Sequence, residues 1–306
     1  MRIEKHIVRT PLRHSPWLSD ASRGDVFLKI ETLQPTFSYK IRGAFNAVLR
    51  LVEQRGADVP PLVTASAGNH GRALACAARA AGLPLTVYVP VDAPRIKADA
   101  IRQAGADVRA CRNYDEAELL AKRHAAEGSA LFVSPYSHPD VIAGAGTVGL
   151  EILEEQPGID TIIVPVGGGG LVSGIAIVVN ALAPRSTVVG VEVEASSPFT
   201  HSLAAGRIVK IDVRPTLADG LSGNLDPDTV TFDIVRRLVG RIALVSERQL
   251  GDTIGGLVRE ERLITEGAGA VAAAAILSGS VDTRSRRTAV ILSGGNIDLD
   301  KLKKLI

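Results

Sequence analysis

The chain has 306 residues, 46% of them apolar and 22% charged, which gives a length prior of about two domains and an ordinary globular composition. Lys+Arg 35 against Asp+Glu 33 leaves +2, so no basic nucleic-acid footprint is present. The longest apolar runs, such as Gly267–Leu277, fall short of the about 18 residues that a membrane span needs.

The N-terminus MRIEKHIVRT has no apolar secretory core, and Cys76 and Cys111 show neither metal-ligand nor CxxC spacing. These features predict a soluble cytoplasmic protein with no metal site and no nucleic-acid or membrane partner. Glycine is frequent, at 30 residues, and aromatics make up only 4%, as suits many tight strand-to-helix turns and alanine-rich helices.

Taken in order, the first half predicts a strand at Val26–Ile30, a helix near Ser38–Glu53, a strand at Leu62–Thr64 and a helix near Asn69–Ala81. A strand at Leu85–Val89, a helix near Arg95–Ala104, a strand at Asp107–Ala110, a helix near Asp115–Glu127 and a strand at Leu131–Val133 follow. The second half predicts helices near Val141–Glu155, Leu171–Ala183, Thr229–Val239, Glu247–Glu260 and Gly267–Ser278. Its strands are Thr161–Val166, Val188–Val193, Ile242–Val245 and Thr288–Leu292.

Runs such as IIVPV, VVGVEV and AVILS are nearly continuous apolar stretches, the mark of parallel strands covered on both faces. Their alternation with helices predicts an α/β protein with open, doubly wound, mostly parallel sheets. Four strand–helix units in residues 60–135 suggest a second sheet. The expected organisation is a small domain, residues 45–145, inserted into a larger one of residues 1–44 plus 146–306.

Ligands of open parallel sheets bind where strand ends enter helices. Four such ends carry unusual loops: TFSYK, SAGNHG, VGGGGL and LSGGN. Gly167–Gly170 reads either as a flexible turn or as a cradle whose backbone N–H groups and following helix N-terminus hold an anion. The places where a dinucleotide fingerprint needs its last glycine hold Val172 or Ser173, and no GxxxxGK[ST] run exists, so a single phosphate is the better match. Glu192 stands about where a ribose-binding acid would be, a weak signal by itself.

Lys40 falls just inside a helix start, among Phe37, Tyr39 and Ile41. It is either a solvated charge or an amine whose proton affinity is lowered by the helix dipole, as Schiff-base chemistry requires. Ser66–Ala67–Gly68–Asn69–His70 reads either as a helix cap with its turn or as a nest of donors for a carboxylate. His70 has no carboxylate nearby in sequence, so a structural role outranks general-base catalysis. Ser293 ends the last buried strand, where its hydroxyl could meet a heteroaromatic nitrogen.

In this order the loops resemble the pyridoxal-phosphate-dependent serine/threonine dehydratase family of the tryptophan-synthase-β type, and within it the catabolic threonine dehydratases. The likeness runs through FLKIETLQPTFSYKIRGAFNA, SAGNHG, PYSHPDVIAGAGTVGLEI, VPVGGGGLVSGIA, TLADG, TEGAGAVAAAA and LSGGNIDL. It implies pyridoxal 5'-phosphate as cofactor and a small hydroxyamino acid, such as L-threonine or L-serine, as substrate. It implies β-elimination to a 2-oxo acid and ammonia, and a homodimer or homotetramer.

By motif, Lys40 would bond to the cofactor aldehyde and then remove the Cα proton. Asn69 would meet the ring 3′-oxygen, Gly167, Gly168, Gly169, Gly170 and Leu171 the phosphate, and Ser293 the ring nitrogen. The amides of Ser66, Ala67, Gly68, Asn69 and His70 would hold the substrate carboxylate. Tyr39 takes the place of a ring-flanking phenylalanine.

Departures from the family pattern carry consequences. Phe37 replaces the glycine of TGSFK, so a reshaped substrate pocket is expected. Pro215 falls where racemases of the family place a metal-binding acid, although Asp219 is kept. The competing activity on this scaffold is amino-acid racemisation, whose second acid/base resembles a serine just before Gly-Asn. Here that place holds Ala67.

Overall fold

The computed structural model describes residues 2–93, 95–128 and 130–306. The elements of the first half are β1 (Leu12–His14), α1 (Pro16–Ser22), β2 (Asp25–Ile30), α2 (Lys40–Arg55), β3 (Leu62–Ala65), α3 (Asn69–Ala80), β4 (Leu85–Pro90), α4 (Arg95–Gln103), β5 (Asp107–Cys111), α5 (Tyr114–Ala126) and β6 (Leu131–Phe132). Then come α6 (Pro139–Glu155), β7 (Thr161–Pro165), α7 (Gly170–Leu182), β8 (Thr187–Val193), α8 (Pro198–Ala205), α9 (Thr231–Leu238), β9 (Arg241–Val245), α10 (Glu247–Glu261), α11 (Gly267–Leu277), β10 (Arg287–Leu292) and α12 (Leu299–Lys303). They form two compact units, Arg9–Tyr39 with Ala145–Ile306, and Met1–Val8 with Lys40–Gly144.

The larger unit holds a six-stranded sheet in the order β1-β2-β10-β7-β8-β9, parallel throughout except for antiparallel β1. Both faces are covered, so alternate residues feed separate cores. Ile163, Val290 and Leu292 join one cluster with Ile254 and Val271, while Ile162, Val164, Ala289 and Ile291 join another with Ile152 and Ile175. Helix α11, GAGAVAAAAIL, is apolar all round and buried through Ile276, as such a pattern requires. Ser246 and Gln249 close a capping box on α10, and Ser15 caps α1 by accepting from the Leu18 N–H.

The smaller unit holds a parallel sheet in the order β5-β4-β3-β6. Leu62 packs with Leu74 and Ala77 of α3, whereas Val63 and Ala65 pack with Ala117 and Ala121 of α5. A charged pair is sealed inside the larger unit: Lys29 Nζ lies 2.7 Å from Glu151, with the two side chains 0% and 1% exposed. The same ammonium donates to the Thr10 carbonyl.

The unit boundaries differ from those the sequence suggests. Met1–Val8 and the start of α2 belong to the smaller unit, because Ile3 is buried in its core with Ile41, Ala44 and Phe45 and His6 stacks on Phe45. MRIEKHIV carries no periodicity that would announce this. Helix α2 starts at Lys40 rather than Ser38, whose backbone is bridged to Gly294. The strand expected at Leu131–Val133 covers only Leu131 and Phe132. Three-residue β1 and short α1, α8 and α12 are too brief for a hydrophobic period to show them.

Candidate functional site

In the larger unit, the segment before Lys40 is laid against the loop after β10. Asn296 Nδ2 donates to the Thr36 carbonyl (2.9 Å). The Gly295 N–H donates to Phe37 O (2.9 Å) and the Tyr39 N–H to Ser293 O (3.0 Å). Phe37 is held at φ 57, a left-handed conformation that disfavours a side chain by roughly 1–2 kcal/mol and that glycine adopts freely. That explains why the resemblance leads one to expect glycine there. The Phe37 ring is half exposed. Burial, with the Glu266 carboxylate adding to it, pushes the Tyr39 phenol above its ordinary value.

Ser293 is buried, and its hydroxyl donates to Ala268 O in the first turn of α11 at 3.3 Å. Helix α11 can approach this closely because Gly269 has no side chain: a Cβ there would stand 2.2 Å from Gly294 O.

The glycine loop of the same unit joins β7 to α7. Gly169 has φ 85 and serves as N-cap with no side-chain capping bond. A Cβ on it would lie 2.6 Å from Phe199 Cζ and 3.0 Å from Thr231 Cβ. The Thr231 hydroxyl donates to Gly168 O (2.8 Å), and Ser173 N–H donates to Gly169 O (2.9 Å). The N–H groups of Gly170, Leu171 and Val172 therefore precede the helical ladder and have no intrahelical acceptor. The buried Ser173 hydroxyl has no hydrogen-bond partner among the described residues.

In the smaller unit, Lys40 is the first residue of α2 and its Nζ donates to Pro135 O at 2.7 Å. The Ser66 hydroxyl accepts from the Gly68 N–H (3.2 Å). It makes a turn outside the helix, while Gly68 is the N-cap of α3 without a side-chain bond. Asn69 opens that helix. Gly71 is obligatory, since a Cβ would meet Ser66 O at 2.4 Å. His70 is 2% exposed, with Nε2 3.2 Å from Val133 O. Burial first, then the Lys40 charge, push its pKa down to about 3. It is neutral at working pH, in line with the structural role its sequence context favours. Ala67 is partly buried against the core of this unit.

Glu192 is not a ribose acid awaiting a ligand. Fully buried, it accepts from the N–H groups of Phe199 (2.8 Å) and Thr200 (2.9 Å) and from the Thr200 hydroxyl (2.7 Å). It thus binds the N-terminus of α8, a helix the sequence had not revealed. The segment after Pro215 is held by Glu247, which accepts from Thr216 Oγ1 (2.5 Å) and Leu217 N–H (2.7 Å). Among the described residues no three His, Cys, Asp or Glu side chains are grouped to share a metal.

The model of the pyridoxal-phosphate dependent enzymes matches residues 3–294. The chain belongs to that family. It is 40% identical over 310 residues to the L-threonine ammonia-lyase of Thermotoga maritima, covering 100% of this chain and 76% of that protein. It is 37% identical to the catabolic L-threonine dehydratase of Escherichia coli, covering 99% and 92%. Among solved structures, maize serine racemase superposes with a TM-score of 0.92 at 33% identity, covering 99% of this chain and 93% of that one.

Pyridoxal phosphate is the cofactor of the family, and the residues present suit it. A phosphate needs backbone donors that no side chain occupies, and the start of α7 offers them. The cofactor aldehyde needs an amine, and Lys40 Nζ offers one, part-buried beside Pro135 O. Sequence reasoning missed Thr231, Phe199 and the Val133–Pro135 carbonyls. A lone threonine or a backbone oxygen carries no local pattern that would have found them.

Proposed function

We propose that this protein eliminates water from L-threonine or L-serine, and that hydrolysis of the released enamine by one water gives a 2-oxo acid and ammonia. When bound, pyridoxal phosphate supplies an electron sink for the charge left at Cα. The amides of Gly167–Gly170 and Leu171 would hold its phosphate, and the Asn69 side-chain amide would meet its 3′-oxygen. Ser293 would offer the ring nitrogen a neutral hydroxyl, which would make a weaker sink than a carboxylic acid and favour prompt loss of the β-hydroxyl. Backbone donors of Ser66–His70 hold the substrate carboxylate, and Lys40 Nζ takes the Cα proton and can hand it to the leaving hydroxyl.

The likeness to maize serine racemase supports a second reading, racemisation on the same scaffold. The observation that favours elimination is Ala67, whose methyl group has no proton to give from the face opposite Lys40. The relatives named as threonine ammonia-lyase and dehydratase support the same choice. We further infer a cytoplasmic homodimer or homotetramer, an assembly to be read by light scattering. Among the described residues no helix is long and apolar enough to cross a membrane.

The deciding experiment offers L- and D-3-hydroxyamino acids and detects 2-oxo acid and ammonia. Borohydride treatment of the cofactor-loaded protein should fix a pyridoxyl group on the Lys40 peptide. Lys40→Ala should lose several orders of magnitude in turnover, roughly 10³-fold or more. A label on another lysine, or racemisation as fast as elimination, would overturn the reading.

A further inference from the structure

Within the smaller unit, Lys40 Nζ donates to a backbone oxygen, Pro135 O, at 2.7 Å. That oxygen lies beyond the end of β6 at Phe132, so no strand ladder fixes it. Two residues earlier, however, the chain is pinned three times. Val133 N–H donates to Val63 O (2.9 Å), and Val133 O accepts both from Thr64 Oγ1 (2.8 Å) and from His70 Nε2 (3.2 Å). Just after Pro135, the Ser134 hydroxyl folds the chain by accepting from the N–H groups of Tyr136 (3.5 Å) and Ser137 (3.1 Å).

A carbonyl only accepts, so His70 Nε2 must carry its hydrogen, and Nδ1 is the bare nitrogen. That Nδ1 is buried and has no hydrogen-bond partner among the described residues. A second proton would have to enter there, against burial and against the charges of Lys40 and His138, the two groups that act on this ring. His138 is itself held below its ordinary value by burial, with Asp140 opposing. The imidazole therefore carries no proton to or from substrate near neutral pH.

We propose that His70, together with Thr64, is a positioning residue for the Lys40 amine, acting through the shared Val133 carbonyl to place Pro135 O. The inference rests on Lys40 being the reacting amine. Pro135 O engages one N–H of the amine and so fixes where the remaining hydrogens and the lone pair point. Misplacement by about 1 Å in such a constellation is enough for a loss on the order of 10²-fold.

The test uses the full chain in cofactor-free and cofactor-loaded forms. Lys40 is labelled with an amine reagent across pH in the cofactor-free protein and quantified by peptide mass spectrometry, while kcat and KM are measured on the loaded enzyme. Losing a carbonyl that stabilises the charged amine should lower the pH midpoint of Lys40 labelling by about half a pH unit in Thr64→Val and in His70→Leu. It should also lower kcat about 10-fold with little change in KM. His70→Gln, which keeps a donor, should recover most of both. The double variant should be little worse than either single one, because both donors act on one oxygen.

An unchanged labelling midpoint in folded Thr64→Val would refute the proposal, even if stability fell. Additive losses in the double variant would refute it too. If His70→Leu does not fold, Thr64→Val and His70→Gln still decide. Failure of the functional reading shows separately, as activity surviving in Lys40→Ala.

Discussion

Gly169→Ala tests the proposed phosphate loop most directly. At φ 85 an alanine meets the left-handed penalty of roughly 1–2 kcal/mol. Its Cβ would also stand 2.6 Å from Phe199 Cζ, and Phe199 is fully buried, so the ring must shift inside a packed core, adding about 1–3 kcal/mol. Gly206 isolates the first contribution, since it has φ 69 with open space around its missing Cβ. We expect Gly206→Ala to cost about 1 kcal/mol, lowering the calorimetric Tm by about 2–4 °C, and Gly169→Ala to cost about 3 kcal/mol, or about 6–12 °C. On the proposed assignment of the phosphate to the start of α7, only Gly169→Ala should lose cofactor after dialysis. Equal Tm losses would mean that Phe199 yields freely. Full cofactor retention in Gly169→Ala would remove the phosphate from this loop.

Further outcomes follow from buried charge and from chemistry. Lys29→Met removes the buried ammonium 2.7 Å from Glu151 and should cost about 3–5 kcal/mol in urea unfolding; Lys29→Met with Glu151→Leu should recover much of that, and a double variant as unstable as the sum would contradict the argument. Burial pushes the Glu192 carboxyl up to about 7 in spite of three donors, so the folded chain binds this proton more tightly than the unfolded one. The stability it contributes is present below about pH 4.5 and is lost as pH rises to about 7, by up to about 3 kcal/mol. Glu192→Gln should flatten that part of the Tm–pH profile, and an unchanged slope would exclude Glu192 as its source. In deuterated water, the unmodified protein should convert L-serine to 2-oxo acid with negligible D isomer, whereas Ala67→Ser should permit a small fraction of reprotonation from the opposite face; chiral chromatography checks both.

The fold class was legible because its signal is local. Runs such as Ile162–Val164 and Val290–Leu292 are apolar at every position since both faces of the sheet are covered, and the glycine, serine and asparagine loops follow them directly. The membership of Lys40, Asn69, Gly167–Gly170 and Ser293 in such loops could be read for the same reason. What tertiary structure alone decided is where each backbone oxygen and N–H finds its partner. The Asn296 bond to Thr36 O joins residues 260 apart, and the pinning of Val133 by His70 and Thr64 joins three separate segments of the smaller unit. Phe37 looks like a change in the shape of the pocket until its left-handed φ shows it to be a backbone strain as well. Glu192 looks like a ligand for a ribose until α8 supplies the donors it binds. A side chain's polarity and its spacing are written in the chain, but a carbonyl is the same in every residue, and only folding determines which donor reaches it.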